Sequence, residues 1–222
     1  MEGNQKKGGA FLDLETLLEK FRDRDRFPDS RMFNIHYSVL VPIMEKEGKL
    51  HLIFEVRSKN LKNQPGEICF PGGKVEWGET PKEAALRETC EELGLQREDL
   101  LDIERMGEDV QPFAFRIIHT FVGVIQPRAE IRPNPDEVEE IFAVPLEWFR
   151  SARPEIYQVK IQLLPEQVFP FHKIPGGENR FLSERKIKEY FYYYGDYTIW
   201  GLTARILQDF LARAGISGMI EM

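Results

Sequence analysis

Residues 73–95 of this chain read GKVEWGETPKEAALRETCEELGL. Gly73 is followed by five residues, Glu79, seven residues and then the run Arg87-Glu88-x-x-Glu91-Glu92-x-Gly94. Thr80, Pro81 and Glu83 have the pattern of a helix start, with an N-cap, a proline at the first helical position and a capping box. Because Gly94 favours the left-handed conformation that ends helices, the segment predicts a helix that stops near Leu93.

The predicted helix separates acidic from apolar side chains. At about 100° per residue, one face carries Glu88, Glu91 and Glu92. The opposite face carries Leu86, Cys90 and Leu93, which we expect to pack against a sheet. Like charges at this spacing destabilise a helix, but a divalent cation that prefers oxygen ligands turns them into a binding site. A solvated acidic surface is the simpler alternative.

This spacing resembles the Nudix box of enzymes that hydrolyse nucleoside diphosphates linked to another group. The resemblance implies an α/β fold, the Nudix α/β/α sandwich with a mixed sheet, and a requirement for Mg²⁺ or Mn²⁺. It implies the metal ligands Glu88, Glu91, Glu92 and the Gly73 carbonyl. It also implies that Arg87 orients a catalytic glutamate, that Glu79 braces the loop through hydrogen bonds, and that Gly94 closes the box helix.

A second motif lies upstream, where residues 52–73 read LIFEVRSKNLKNQPGEICFPGG. It resembles the signature of the coenzyme A pyrophosphatase branch of the Nudix family, although Lys62 stands where that pattern has arginine. Lysine keeps the positive charge but loses the bidentate fork. The resemblance implies that Arg57 and Lys62 bind the 3′-phosphate or the diphosphate of coenzyme A. Both are exposed charges in the simpler interpretation, and Gly72 would let the backbone approach substrate or metal closely.

The resemblance implies attack of water on one phosphorus of the diphosphate, giving adenosine 3′,5′-bisphosphate and 4′-phosphopantetheine. Glu88 itself is one candidate for the general base. Glu137, in the acidic run that precedes residues 141–144, is the preferred candidate because this loop should return beside the box helix. A solvated turn without a catalytic role explains the same acidic run equally well.

Two other functions remain open at this stage. The first is a Nudix pyrophosphatase that acts on another nucleoside diphosphate derivative, such as ADP-ribose, NADH or a diadenosine polyphosphate. The second is a non-catalytic Nudix module that only binds a ligand. The retained glutamates of the box disfavour the second alternative, and the upstream motif disfavours the first.

Composition is that of a globular protein of 222 residues with a net charge of −7 and a pI near 5.3. This charge disfavours nucleic-acid binding, so we expect a small-molecule substrate. The two cysteines are expected to be reduced. The sequence has no signal peptide, transmembrane run or peroxisomal address, which favours the cytoplasm and no membrane partner. A homodimer is a further expectation.

Hydrophobic periodicity predicts one main domain over residues 33–214, after a tail and amphipathic helix in 1–32 and before a tail at 215–222. The N-terminal helix is expected over about residues 11–23. Strands are predicted near 37–43, 50–56, 102–106, 117–125, 139–144, 156–163, 168–171 and 191–194. A final helix is predicted over about 197–213, with Ile199, Thr203, Ile206 and Phe210 forming its apolar seam.

Overall fold

A computed structural model describes residues 13–19, 35–111, 116–162, 164–166, 168–180 and 185–216 of the chain. Its helices are α1 (Leu14–Glu19), α2 (Pro81–Leu93), α3 (Trp148–Ser151) and α4 (Gly201–Ala214). Its strands are β1 (Ile35–Lys46), β2 (Lys49–Arg57), β3 (Ile68–Cys69), β4 (Gly72–Lys74), β5 (Leu100–Gln111), β6 (Arg116–Ile125), β7 (Val138–Pro145), β8 (Glu155–Ile161), β9 (Arg185–Tyr194) and β10 (Tyr197–Ile199).

The main sheet is mixed, as predicted. Its strand order is β3-β2-β1-β6-β5, with β4 also paired to β1 and β7 to β2. Strands β1 and β6 run parallel, whereas the other pairs are antiparallel. Glu47 and Gly48 both have positive φ angles, 52° and 72°, which is the two-residue turn that joins twisted hairpin strands such as β1 and β2.

Helices cover both faces of this sheet. One apolar cluster includes Leu40 and Ile53 of the sheet and Leu93 of α2, all with no exposed surface. The other includes Phe54 of the sheet and Phe210 of α4, together with α1. Because side chains alternate between the faces of a strand, neighbouring residues such as Ile53 and Phe54 supply the two clusters. The predicted α/β/α sandwich is confirmed.

The predicted strand near residues 168–171 is wrong. Phe171–Lys173 form a short 3₁₀-helix instead. Pro165, Pro170 and Pro175 interrupt this segment, and a proline cannot donate the backbone hydrogen bond that a strand interior needs. Strands β8, β9 and β10 nevertheless form a separate antiparallel sheet in the order β10-β9-β8.

The predicted start of the final helix at residue 197 is also wrong. Tyr197–Ile199 pair with β9 as strand β10, and α4 begins at Gly201. Aromatic and β-branched residues favour a strand, and Gly195-Asp196 forms the turn of a hairpin. The predicted seam is buried all the same, since Ile199, Thr203, Ile206 and Phe210 are at most 8% exposed.

The predicted N-terminal helix is helical over Leu14–Glu19, and the remainder of 11–23 lies outside the described residues except for Asp13, which precedes the helix. The tail predicted at the other end also lies outside them from residue 217 onward. None of the helices in the described part of the chain is long and apolar enough to cross a membrane. Cys69 and Cys90 are free thiols, as expected.

Candidate active site

Helix α2 is held in position at both ends. The Thr80 hydroxyl accepts from the Glu83 N–H at 3.3 Å, and the Thr80 N–H donates to Glu83 Oε2 at 2.8 Å, which completes the predicted capping box. At the other end Gly94 has φ 64°, and a Cβ there would lie 1.9 Å from the Arg132 carbonyl oxygen. The helix terminus is therefore packed against the 132–134 backbone, where no side chain at residue 94 would fit.

The predicted acidic face of α2 is not uniform. Glu92 is only 3% exposed and accepts a hydrogen bond from the Gly72 N–H at 2.8 Å. The Glu91 side chain, in contrast, is 56% exposed. Glu92 lies closer to the sheet than a helical wheel predicts, because the Gly72 backbone offers it a donor there. Leu86 and Leu93 are buried as predicted.

Arg87 binds three glutamates with one guanidinium group. Its Nη1 donates to Glu88 Oε1 at 2.9 Å and to Glu91 Oε2 at 3.1 Å, and its Nη2 donates to Glu79 Oε1 at 2.9 Å. Glu79 also accepts the Glu76 N–H at 2.7 Å. The hydrogen bonds from Arg87 hold the pKa of Glu79 below its usual value. Glu79 thus links the Glu76 backbone to Arg87 of α2 by hydrogen bonds, and its role as a brace for the loop stays a prediction.

Two glycines allow the loop at β4 to approach these side chains. A Cβ at Gly72 would lie 2.3 Å from the Ser38 carbonyl oxygen, and a Cβ at Gly73 would lie 2.2 Å from Glu88 Oε1. Real Cβ atoms do not tolerate such distances, so any larger residue would displace the loop or the Glu88 carboxylate. The Gly73 backbone therefore lies close against Glu88, and the resemblance to the Nudix box implies that both are metal ligands.

One acidic residue of the site, Glu55 of β2, was not predicted from the sequence. It has no exposed surface, and its Oε1 accepts a hydrogen bond from the Cys69 thiol at 3.2 Å. Burial raises the pKa of Glu55 to about 7, with the charges of Glu137 and Glu88 adding to the rise. An acidic residue inside the apolar run of β2 was the available signal, because such a position normally holds an apolar side chain.

The negative charges of these glutamates raise one another's pKa. Burial raises the pKa of Glu92 to about 9, and the charge of Glu55 adds to this effect while the Gly72 N–H opposes it. Burial also raises the pKa of Glu88, against the stabilising contact with Arg87. Glu137 contributes to the raised pKa of all three. We call Glu55, Glu88, Glu92 and Glu137 the carboxylate cluster.

Glu137 reaches the carboxylate cluster from the loop before β7, beside α2 as predicted. Its carbonyl oxygen accepts the Ser58 N–H at 2.8 Å, which ties this loop to the end of β2. Its side chain is half-buried. The structure thus brings Glu137 close to the glutamates of α2, whereas its role as general base stays a prediction.

The two predicted phosphate-binding residues lie differently. Arg57 is half-buried at the end of β2, and its positive charge opposes the rise in the pKa of Glu55. Its backbone bonds to Glu67 and Gly66 close the loop that carries the second motif. Lys62 is exposed in that loop, and among the described residues no hydrogen bond or ion pair joins it to the carboxylate cluster. Of the two residues, Arg57 is therefore the one whose charge acts on the carboxylate cluster.

The donor atoms suit a hard divalent cation. Among the described residues, no three acidic, histidine or cysteine side chains are arranged so that they could hold a metal ion. The carboxylate cluster nevertheless offers only oxygen ligands, as Mg²⁺ requires, and the buried Glu55 Oε2 has no hydrogen-bond partner. Carboxylates that raise one another's pKa gain from a cation between them. The donor atoms of the residues present therefore fit a divalent metal.

Residues 34–167 match the family described as the NUDIX domain. The peroxisomal coenzyme A diphosphatase NUDT7 of Mus musculus is 39% identical over 152 residues, which cover 67% of this chain and 61% of that protein. The mitochondrial coenzyme A diphosphatase NUDT8 of Homo sapiens is 31% identical, and the match covers 77% of this chain and 66% of that protein. Nudix hydrolase 15, mitochondrial, of Arabidopsis thaliana is 32% identical, and the match covers 93% of this chain and 68% of that protein. The matched regions thus span between 61% and 68% of the lengths of these relatives.

Proposed function

Since the chain belongs to the NUDIX domain family, we propose that it hydrolyses the diphosphate bond of coenzyme A, or of an acyl or oxidised derivative, with Mg²⁺ or Mn²⁺. The observation that carries the hydrolytic proposal is the carboxylate cluster, which meets the Gly73 backbone at Glu88. Four acidic groups in mutual electrostatic contact form a poor structural core. They form a suitable site for a cation and a phosphate ester.

Coenzyme A is the proposed substrate for two reasons. Two relatives carry the name coenzyme A diphosphatase. The second motif also ends in the Phe70–Gly73 segment whose backbone contacts Glu92 and Glu88, so it adjoins the carboxylate cluster. Arg57 would bind a phosphate group at this edge, where its fixed donors suit bidentate contact. Lys62 would act as a more mobile charge from the exposed loop.

In the proposed reaction, the water oxygen forms a bond to one phosphorus of the diphosphate and the bridging phosphorus–oxygen bond breaks. The products are adenosine 3′,5′-bisphosphate and 4′-phosphopantetheine, or its acyl or oxidised form. A bound divalent cation supplies positive charge that neutralises the phosphate oxygens and activates the attacking water. Glu88, Glu91, Glu92 and the Gly73 carbonyl are its proposed ligands.

The proposed general base is Glu137, with Glu88 as the alternative. Glu137 accepts the proton from the attacking water, while Arg87 keeps Glu88 in its position beside Gly73. A general base must remain free to bond to water. Glu137 suits this role because none of the described contacts of Arg87 involves the Glu137 carboxylate. The cytoplasmic location and the homodimer predicted from the sequence also remain proposals.

A product assay over several substrates tests this function. Purified protein with Mg²⁺ or Mn²⁺ is incubated with coenzyme A, acetyl-coenzyme A, ADP-ribose, NADH and diadenosine tetraphosphate, beside Glu88→Gln and the exposed control Glu45→Gln. We expect release of adenosine 3′,5′-bisphosphate, and a loss of at least about a hundredfold in kcat for Glu88→Gln. Preferential turnover of ADP-ribose or NADH would reject coenzyme A as the substrate. No turnover of any compound would indicate a binding module.

A further inference from the structure

Glu55 lies beneath helix α2 on the face of the sheet that the helix covers. It is two residues from Ile53, which packs in the cluster under α2, and alternate residues of a strand share a face. The pairing of Glu55 with Cys69 agrees with this direction, because the Cys69 thiol donates to Glu55 Oε1. Glu55 therefore points toward the helix that carries Glu88 and Glu92.

A structural role does not account for this carboxylate. Only one of its oxygens is bonded, to a thiol, which is a weak donor. The other, Oε2, is buried without a hydrogen-bond partner, and such an oxygen is destabilising unless something pairs with it. Glutamine would have nearly the same shape without the charge.

The nearest positive charge along the strand is that of Arg57, two residues further in β2. Its positive charge opposes the rise in the pKa of Glu55. Among the contacts of the described residues, however, no hydrogen bond or ion pair joins the two side chains. The other charges that act on Glu55 include the carboxylates of Glu88 and Glu137, and Glu92 is under its influence in turn. The position therefore lacks a counter-charge of the strength that a buried carboxylate surrounded by others requires.

We propose that Glu55 supplies a carboxylate oxygen to the metal site from the sheet, opposite the glutamates that α2 supplies. This inference rests on the metal-dependent hydrolysis proposed above. The metal site would then be enclosed between two layers of the sandwich, with α2 on one side and β2 on the other. A cation there would pair with the otherwise unbonded Glu55 Oε2.

Mn²⁺ binding, measured by calorimetry without substrate, tests the inference. The variants are Glu55→Gln, Glu55→Asp for a shortened reach, and Glu45→Gln as an exposed glutamate of β1 with the same substitution. We expect the Kd for Mn²⁺ to rise about tenfold or more in both Glu55 variants, and to stay unchanged in Glu45→Gln. Thermal unfolding in EDTA accompanies each titration, and there we expect Glu55→Gln to be more stable than the original protein.

The combined result separates the possible outcomes. Weaker binding of Mn²⁺ together with higher stability in EDTA supports the proposal, since a merely structural Glu55 would lose stability and leave the Kd unchanged. An unchanged Kd in both Glu55 variants overturns it, provided that Glu92→Gln weakens binding. If Glu92→Gln also binds Mn²⁺ normally, or the original protein does not bind it, the metal-dependent function fails and this inference with it.

Discussion

Arg87 is the residue on which the geometry of the candidate site depends most. Its guanidinium contacts Glu79, Glu88 and Glu91 at distances between 2.9 and 3.1 Å. These contacts raise the pKa of Arg87 even though the side chain is partly exposed, with the Glu79 hydrogen bond as the largest cause. The planar fork serves several acceptors at once, which the ammonium of lysine cannot do in the same geometry.

Arg87→Lys should therefore lower activity without abolishing folding. We expect kcat for the preferred substrate to fall by about tenfold to a hundredfold, the range for residues that orient metal ligands. KM should change little, because Arg87 contacts carboxylates of the protein. Steady-state kinetics check this, with the exposed Arg97→Lys as the control. A rise in KM at constant kcat would instead place Arg87 on the substrate.

Helix α2 shows which parts of the fold could be predicted from the sequence. Its ends follow from local chemistry, namely the Thr80–Glu83 capping box and the left-handed Gly94. The burial of Glu92 was not predictable, because it depends on a donor from Gly72, twenty residues away in the chain. Glu55 interrupts the apolar run of β2, but an isolated acidic residue in a strand has no periodic signature that would place it at the site.

The C-terminal end of α2 gives a prediction about stability. Gly94→Ala should destabilise the protein by the cost of a left-handed alanine, about 1–2 kcal/mol, and by a further amount of about 1–3 kcal/mol for the overlap with the Arg132 carbonyl. Urea unfolding measures the change. Gly48→Ala is the matched control, because Gly48 also has a positive φ but a Cβ added there would meet no atom within 4 Å. Equal losses in the two variants would contradict the packing described at Arg132.

The apolar core of the protein extends beyond the segment that matches the family. The match ends at residue 167, whereas α4 contributes Leu207, Phe210 and Leu211 to the same apolar cluster as β1 and β2. Thr203 also donates to the Ile68 carbonyl at 3.0 Å, within the second motif. The single domain predicted over 33–214 is therefore expected to unfold as one unit.

Metal-free protein should lose stability as the pH rises. The pKa of Glu92 is about 9 in the folded state against 4.5 as the reference, so its favourable contribution is complete below pH 4.5 and lost as the pH rises through about 9. Glu55, with a pKa of about 7, acts in the same direction over a narrower range. In EDTA we expect Tm to fall by at least about 2 °C between pH 5.5 and 9, the shift for about 1 kcal/mol at this size.

Thermal unfolding of Glu92→Gln checks the cause of this pH dependence. The variant has no titrating group at position 92, so its Tm should vary less with pH than that of the original protein. Mn²⁺ should reverse the trend, because a metal binds the deprotonated carboxylates and is favoured at higher pH. Parallel Tm profiles for the two proteins in EDTA would show that Glu92 does not titrate in this range.

The contacts of Arg87 bear on which ions can bind at the carboxylates. The guanidinium already acts as a counterion for Glu88 and Glu91, so an entering ion must compete with a positive charge that belongs to the protein. Sodium and potassium offer no more charge than the guanidinium with which they would compete, whereas a divalent ion offers twice as much. The arginine is thus expected to disfavour the abundant monovalent ions of the cell relative to a divalent ion.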